Sequence, residues 1–378
     1  MAELAYGYEL AIGCCTVIQA RTVACPTTAT RAAAGLWVGR HLEGRSVTRN
    51  YGVQNGVVQV QSHDVRPLGP LRLAALTIPR IRVKDPKASA KFYEFLGMKL
   101  IQKIEQPQSK FDLYFFGYDS PKAQSHGKSW SDREGLVELT HNYGTENDPN
   151  YKVNNGNEEP NRGFGHLCIS VDNLQAACQR LEDGGYKFQK KLSEGRMKYI
   201  AFVLDPDGYW IEIIGQKPLE ETADITTTDV ETYAMNHSMI RVKSSSSSLL
   251  FYQEILGMTL LRTAEMPEAK FNVYFLGYPN SATGAHREGL LELTWNYGTE
   301  ADESFSYHNG NAEPQGFGHI CVSVDDLDAA CARFDEVGAT WKKRLTEGKM
   351  KNVAFLLDPD GYWVEVIQNE KLKERAKW

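Results

Sequence analysis

Short apolar segments and single amphipathic helices alternate along most of this chain. Residues 81–84 are predicted to form a short strand, and Asp85 and Pro86 follow it as an N-cap and a first helical residue. The apolar stripe of this helix is formed by Phe92, Tyr93 and Leu96. Gly97 ends the helix, and three strand-like segments follow at residues 99–104, 111–117 and 135–141. The pattern predicts a βαβββ module.

The same order of elements returns three more times. A second module is predicted from a strand at 167–171, a helix capped by Asp172, and strands at 186–191, 198–204 and 209–214. The third and fourth modules span residues 238–294 and 320–367. A strongly curved sheet of this size must pair with another module to bury its concave face. The sequence therefore predicts an α+β fold of four βαβββ modules in two tandem halves, paired into curved sheets.

Composition changes near residue 77. The first 76 residues contain no lysine and few acids, and they lack a convincing amphipathic helix. They are predicted to be an atypical, disordered or artefactual extension, with an organelle transit peptide as the alternative. The predicted halves are residues 77–217 and 233–370, separated by a polar linker at 218–232 and followed by a tail at 371–378.

Overall charge and hydrophobicity restrict the class of protein. The net charge of -6 argues against nucleic acid or an anionic membrane as the main partner. No apolar run reaches the length of a transmembrane helix, and the seven cysteines do not form a disulfide framework. A cytoplasmic location is predicted, with a mitochondrial one as the alternative if the extension is a transit peptide.

Near-copies of short segments place histidines and carboxylates at matching positions. Gly163-Phe164-Gly165-His166 returns 153 residues later as Gly316-Phe317-Gly318-His319, and Asp205 to Glu212 returns as Asp358 to Glu365. The recurring candidates, joined by an unmatched histidine, are Glu138, His166, Glu212, His237, Glu292, His319 and Glu365. Inward-facing imidazoles and carboxylates could bind a divalent cation. The carboxylates could instead be solvated, but their apolar sequence neighbours argue against this interpretation.

These motifs resemble glyoxalase I (lactoylglutathione lyase), a family of the vicinal oxygen chelate superfamily, over roughly residues 77–370. The matching segments include Arg-Val-Lys-Asp-Pro-Lys, Glu-Leu-Thr-His/Trp-Asn-Tyr-Gly-Thr-Glu, Gly-Phe-Gly-His and Asp-Pro-Asp-Gly-Tyr-Trp followed by an apolar residue and Glu. The two-halved form is similar to the fused enzyme of fungi and some protists. The resemblance implies metal-assisted isomerisation of the methylglyoxal–glutathione hemithioacetal to S-lactoylglutathione, which detoxifies methylglyoxal.

The resemblance also implies how each metal site is assembled, with two ligands from each half. One site would combine His166, Glu212, His237 and Glu292. The other would combine Glu138, His319 and Glu365 with the counterpart of His237, which is Ile78, a residue without a lone pair. One divalent cation is expected per site, zinc first, with nickel or cobalt as alternatives. Family precedent makes Glu212 the catalytic base, with Glu365 as its twin.

Glutathione, the co-substrate, requires anchors for its carboxylates. By resemblance these are Arg241 and Asn296 from the second half with Arg162 and Lys190 from the first, and Met197 is expected at the binding mouth. The corresponding set in the other site is Arg82, Asn142, Lys343 and Met350, although Gln315 stands where Arg162 stands. Solvated surface charge is the alternative interpretation for each of these cations.

Two other functions share the fold. An extradiol dioxygenase needs an open Fe(II) site with two histidines and one carboxylate, and the second carboxylate here argues against it. A ligand-sequestering binding protein would need no metal ligands. Because both halves lie in one polypeptide, we expect a monomer that acts on a small-molecule substrate.

Overall fold

The predicted order of elements is confirmed in a computed structural model, which describes residues 47–54, 57–64, 73–219, 226–280, 282–348 and 350–369. Strands β1 (Val47–Gln54) and β2 (Val57–Asp64) pair antiparallel ahead of the modules. These strands lie within residues 1–76, for which a disordered or artefactual extension is predicted; most of that extension, and the tail at 371–378, lie outside the described residues. Among the described residues, no helix is both long and apolar enough to span a bilayer.

The first half contains two modules. The first module consists of β3 (Leu73–Val83), α1 (Pro86–Phe95), β4 (Lys99–Gln106), β5 (Phe111–Gly117) and β6 (Val137–Asn142). The second consists of β7 (Phe164–Val171), α2 (Leu174–Asp183), β8 (Phe188–Lys190), β9 (Ile200–Leu204) and β10 (Trp210–Gly215). Strand β3 thus begins well before the short strand predicted at 81–84.

The second half repeats this order. Its first module consists of β11 (Ala234–Val242), α3 (Ser245–Leu250), β12 (Thr259–Met266), β13 (Phe271–Gly277) and β14 (Leu290–Asn296). Its second consists of β15 (Phe317–Val324), α4 (Leu327–Glu336), β16 (Trp341–Lys343), β17 (Val353–Leu357) and β18 (Trp363–Gln368). The four-module interpretation is therefore correct.

The modules pair across the two halves. One eight-stranded sheet has the order β12-β13-β14-β11-β7-β10-β9-β8, and the other has the order β16-β17-β18-β15-β3-β6-β5-β4. At the centre of the first sheet β7 pairs antiparallel with β11, and at the centre of the second β15 pairs antiparallel with β3. Each sheet therefore needs one module from each half.

The helix starts follow local capping chemistry, with one correction. The Asp85 carboxylate accepts a hydrogen bond from the Lys87 backbone N–H, as an N-cap should. Helix α2 is capped by Asn173 and not by the predicted Asp172, because the Asn173 side chain accepts from the Ala176 N–H. The Asp172 carboxylate instead accepts from Thr228 Oγ1 at 2.6 Å, which fixes the segment that leads into β11.

A one-residue insertion distinguishes the third module from the first. The segment 251–258 is one residue longer than 92–98. Residues Phe251–Ile255 form a π-helical turn directly after α3, whereas α1 is a plain α-helix. A π turn is the usual way to place one extra residue in a helix. The length difference is thus absorbed in a helix and leaves the strands of the sheets in register.

The Gly-Phe-Gly-His segments lie where the two sheets meet. Phe164 and Phe317 stack with ring centroids 4.8 Å apart and an interplanar angle of 8°. A Cβ at Gly163 would overlap the His308 carbonyl oxygen, and one at Gly316 would overlap that of Asn154. Only glycine permits this approach of two backbones.

The Asp-Pro-Asp-Gly turns connect one sheet to the other. Asp205 Oδ1 accepts the backbone N–H groups of Asp207 and Tyr209, both at 2.9 Å, and Oδ2 accepts from Tyr93 Oη of helix α1. The Asp207 carboxylate accepts the Lys84 N–H at 3.1 Å. Burial, assisted by the Asp207 charge, raises the pKa of Asp205 to about 8.

The substitution Asp205→Asn is expected to weaken the pH dependence of stability. The folded state retains the Asp205 proton above the ordinary pKa of 3.8, so this contribution is complete below that pH and is lost as the pH rises towards 8. Wild-type protein should therefore lose up to about 5 kcal/mol of unfolding free energy over this window that the asparagine variant does not lose. Denaturant unfolding at a series of pH values measures both slopes.

The exposed turn residue Asp148 provides the control, since Asp148→Asn should keep the wild-type slope. An Asp205→Asn variant with that same slope would contradict the assignment.

Candidate functional site

Four adjacent strands each contribute one side chain to a buried cluster, here called the first centre. His166 lies on β7, Glu212 on β10, His237 on β11 and Glu292 on β14. The Nε2 atoms of the two histidines are 3.3 Å apart. His237 Nε2 lies 3.2 Å from Glu212 Oε2 and 3.0 Å from Glu292 Oε2, while the His166 Nε2 distances to these oxygens are 3.5 and 4.0 Å. The four residues that sequence reasoning grouped together do meet.

The spacing of these donor atoms fits a divalent cation. Ligand atoms about 2.1 Å from zinc are separated from one another by roughly 3.0–3.5 Å in octahedral or tetrahedral arrangements, close to the separations observed. Asn236 Oδ1 lies 2.8 Å from His237 Nδ1. Because that oxygen can only accept, Nδ1 carries a proton, and Nε2 points towards the carboxylates. The ring is thus already oriented as a ligand.

The electrostatics of the first centre keep the carboxylate of Glu212 ionised. Burial alone would raise the pKa of Glu212, but His166 and His237 outweigh it and lower that pKa to about 2. Burial lowers the pKa of His166, whereas in His237 burial is outweighed by Cys168, Glu212 and Glu292, which raise its pKa. Both imidazoles must be neutral to bind a metal, and the two carboxylates then leave a charge of −2 that a divalent cation cancels. The cluster therefore has both the geometry and the charge to bind such an ion.

A related cluster, the second centre, lies in the other sheet. His319 Nε2 of β15 lies 3.1 Å from Glu365 Oε2 of β18 and 3.5 Å from Glu138 Oε2 of β6. Ile78 of β3 pairs with Cys321, just as His237 pairs with Cys168 in the first sheet. The second centre therefore brings together its three predicted ligands, with an isoleucine at the fourth position.

Two predicted glutathione anchors, Arg241 and Arg82, donate hydrogen bonds to backbone carbonyl groups. The Arg241 guanidinium donates to the carbonyl oxygens of Gly156, Gly163 and Phe164 and to Asn157 Oδ1, at 2.8–3.3 Å. Its counterpart Arg82 makes the matching four bonds to the segment 310–317. Both arginines are buried. Each therefore joins β3 or β11 to a loop of the opposite half.

The two predicted lysine anchors are also engaged. Lys190 Nζ donates to the carbonyl oxygens of Met197 and Ile200 at 2.6 and 2.7 Å. Lys343 makes the corresponding bonds to Met350 and Val353, both at 2.6 Å. These ammonium groups shape the two loops that carry the exposed side chains of Met197 and Met350.

Two other predicted anchors share an open cleft. Arg162 of the first half and Asn296 of the second both line a cavity of about 290 Å³, together with Lys270 and the aromatic residues Tyr297 and Tyr307. Asn296 Nδ2 donates to Tyr307 Oη at 2.8 Å. Asn142, the counterpart of Asn296, is half-buried. The cleft thus offers a guanidinium, an ammonium and an amide to a polar ligand.

Sequence reasoning missed three residues at the centres. Cys168 lies with its sulfur within 4.8 Å of donor atoms of Glu212 and His237. Asn236 orients His237, and its position next to that histidine was the available signal. Arg80 Nε lies 3.4 Å from Glu138 Oε1 in the second centre. The sequence signal for Arg80 was its charge, which the repeat does not match because Met239 stands at the equivalent position.

Comparison with known proteins agrees with this architecture. The sequence model of the glyoxalase/bleomycin resistance protein/dioxygenase superfamily matches residues 72–213 and 234–366. Lactoylglutathione lyase of Schizosaccharomyces pombe is 50% identical, covering 77% of this chain and 95% of its own length. Glyoxalase I of Saccharomyces cerevisiae is also 50% identical, covering 76% and 90%. The crystal structure of glyoxalase I from Zea mays superposes with a TM-score of 0.59 at 27% identity, covering 81% of this chain and 95% of that one.

The substitution Arg241→Lys is expected to destabilise the fold by about 2–3 kcal/mol. A lysine cannot reproduce the forked guanidinium that reaches four acceptors, so buried carbonyl groups would lose their donors. Arg162→Lys is the matched control, because its exposed pair with Glu159 should contribute less than about 1 kcal/mol. Denaturant unfolding compares the two variants. If Arg241→Lys left stability unchanged but raised the KM for the glutathione adduct, Arg241 would serve substrate binding and not the stability of the fold.

Proposed function

The chain belongs to the lactoylglutathione lyase (glyoxalase I) family, and we propose that its first centre performs the reaction of that family with Glu212 as the base. The substrate is the hemithioacetal that methylglyoxal and glutathione form spontaneously, and the product is S-lactoylglutathione. A proton leaves one carbon, an enediolate forms, and the proton returns to the adjacent carbon. The convergence of His166, His237, Glu212 and Glu292 in one buried cluster is the observation that carries the assignment.

Residues of the first centre would hold the ion. Each of the four strands contributes one donor atom, and the imidazole of His237 is held in place by Asn236. When bound, a divalent cation would supply Lewis-acid stabilisation of the negative charge that develops on the substrate oxygens. No redox change occurs in the reaction, so zinc is the proposed ion, and nickel or cobalt would also suit a site of nitrogen and oxygen donors.

Glu212 is assigned the proton transfer for two reasons. Family resemblance places the base at this position. In addition, Glu292 is held on its other oxygen, because Thr294 Oγ1 donates to Glu292 Oε1 at 3.2 Å, which suits a fixed ligand. The lowered pKa of Glu212 keeps that carboxylate ionised at neutral pH, so it carries no proton before the substrate binds. Burial of the cluster excludes bulk water from the reacting atoms.

The cleft lined by Arg162 and Asn296 is the proposed site for the carboxylates of glutathione. A guanidinium binds a carboxylate through two parallel hydrogen bonds, and Lys270 adds a second positive charge. Lys190 would contribute by shaping the loop at Met197 and not by direct contact. We also propose that the chain acts as a monomer, because the strands of each centre come from both halves of one polypeptide.

Removal of divalent ions is expected to abolish isomerisation. Purified protein should convert the hemithioacetal, lose that activity after exhaustive chelation and regain it when zinc is added back, because the first centre depends on a cation to balance its charge. Product formation can be followed by absorbance, with metal content measured on the same samples. Full activity in protein shown to be metal-free would exclude the mechanism.

Substitutions of the twin glutamates should have unequal effects. Glu212→Gln preserves size and hydrogen bonding but removes the base, so kcat should fall by at least a hundredfold. Glu365→Gln makes the same change in the second centre, where Ile78 replaces one ligand, and most of the activity should persist. Steady-state kinetics of both variants, each checked for folding by circular dichroism, provide the comparison. If each substitution removed about half of the activity, the two centres would be equivalent.

A further inference from the structure

We propose that the second centre is closed by an internal cation, the Arg80 guanidinium, so that this chain binds one divalent ion and not two. The residues of the second centre do not fit the ion that the first centre fits. This inference concerns the number of bound ions, and it deepens the proposed function by stating which centre can use a metal.

The fourth ligand position of the second centre is apolar. Ile78 is completely buried and packs in a hydrophobic cluster. The other members of this cluster are Phe115, Leu136, Cys321, Val353, Phe355 and Ile367. The equivalent His237 contributes an imidazole whose donor atom lies 3.0 Å from Glu292 Oε2. Isoleucine has no donor atom, so three potential ligands are left.

One of these three potential ligands, Glu138, is already paired with a positively charged side chain. Arg80 Nε lies 3.4 Å from Glu138 Oε1 and also donates to Thr140 Oγ1. The arginine side chain crosses Gly318, immediately before His319, where a Cβ would meet the Arg80 Cδ at 2.9 Å. The glutamate side chain is 3% exposed and that of Arg80 16%, so little water screens the pair.

In the first centre an uncharged methionine, Met239, stands at the position of Arg80. Met239 pairs with His166 and Glu292 as Arg80 pairs with His319 and Glu138. Where Met239 carries no charge, Thr294 Oγ1 donates to Glu292 directly. In the second centre, the guanidinium binds both the threonine and the glutamate. Arg80 thus takes a place beside the carboxylate that is neutral in the first centre.

Charge balance leads to the same conclusion. Two carboxylates with neutral imidazoles leave the first centre at −2, which a divalent cation neutralises. In the second centre the guanidinium reduces this to −1. A divalent cation would change −1 to +1 there, so it would not neutralise the buried cluster as it does in the first centre. Loss of a ligand's support alone weakens metal sites ten- to a hundredfold, so loss of a ligand together with a nearby positive charge should weaken binding by at least about a hundredfold.

The experiment counts ions in the intact chain. Protein is loaded with Zn²⁺, freed of loosely bound metal by gel filtration and analysed for zinc per polypeptide by mass spectrometry. Wild-type protein should carry one ion, and this measurement requires no substitution. The double variant Ile78→His/Arg80→Met, which gives β3 the residues of β11, should carry two. Ile78→His alone should remain near one, because Arg80 still neutralises Glu138.

The reciprocal variant His237→Ile/Met239→Arg is the matched control. It transfers the second-centre pair to the first centre, and it should carry no ion while it retains the wild-type circular dichroism spectrum. Two tightly bound ions in wild-type protein would overturn the inference, even if the isomerase activity were confirmed. A second full ion in Ile78→His alone would also overturn it, since Arg80 would then have no effect. Absence of isomerase activity with one ion per chain would contradict the proposed function and leave this inference standing.

Discussion

The antiparallel pairing of β7 with β11, and of β15 with β3, determines how the two halves combine and where the ligand positions of both centres lie. These pairs join modules from opposite halves of the chain, and each occupies the centre of an eight-stranded sheet. A parallel strand flanks each central strand on its outer side, which places four inner strands next to one another. The ligand positions lie on these four strands, so neither half can complete a centre by itself.

Bringing four polar side chains to one buried point creates an electrostatic problem. An ionised carboxylate without a partner in the protein interior costs several kcal/mol, and each centre holds two. The imidazoles offset part of this cost in the first centre, as the depressed pKa of Glu212 shows, and a divalent cation would complete the balance. In the second centre the guanidinium of Arg80 offsets the charge of one carboxylate, Glu138. The same backbone geometry therefore admits two different sources of positive charge.

The fold was predictable from the sequence because local and repeated signals agreed. Apolar alternation, the Asp85 cap and the Gly-Phe-Gly-His segments specify the modules, and the duplication confirms which carboxylates face inward. What remained unpredicted depends on contacts distant in the chain. Arg241 and Lys190 have the charge of ligand anchors, yet their acceptors are carbonyl groups that only the folded chain brings near. The choice between Asp172 and Asn173 as the helix cap likewise depended on Thr228, more than 50 residues away.

Three differences between the two halves fall at predicted ligand or anchor positions or beside them, whereas the arginine and lysine contacts within the fold are repeated. Arg82 and Arg241 make equivalent sets of four hydrogen bonds, and Lys343 repeats the contacts of Lys190. Ile78, Arg80 and Gln315 depart from their counterparts, which are His237, Met239 and Arg162. Two of these departures lie on β3 beside the second centre. Glu138 and His319 can persist there because Arg80 supplies the charge that keeps them compatible with burial, whether or not an ion ever binds.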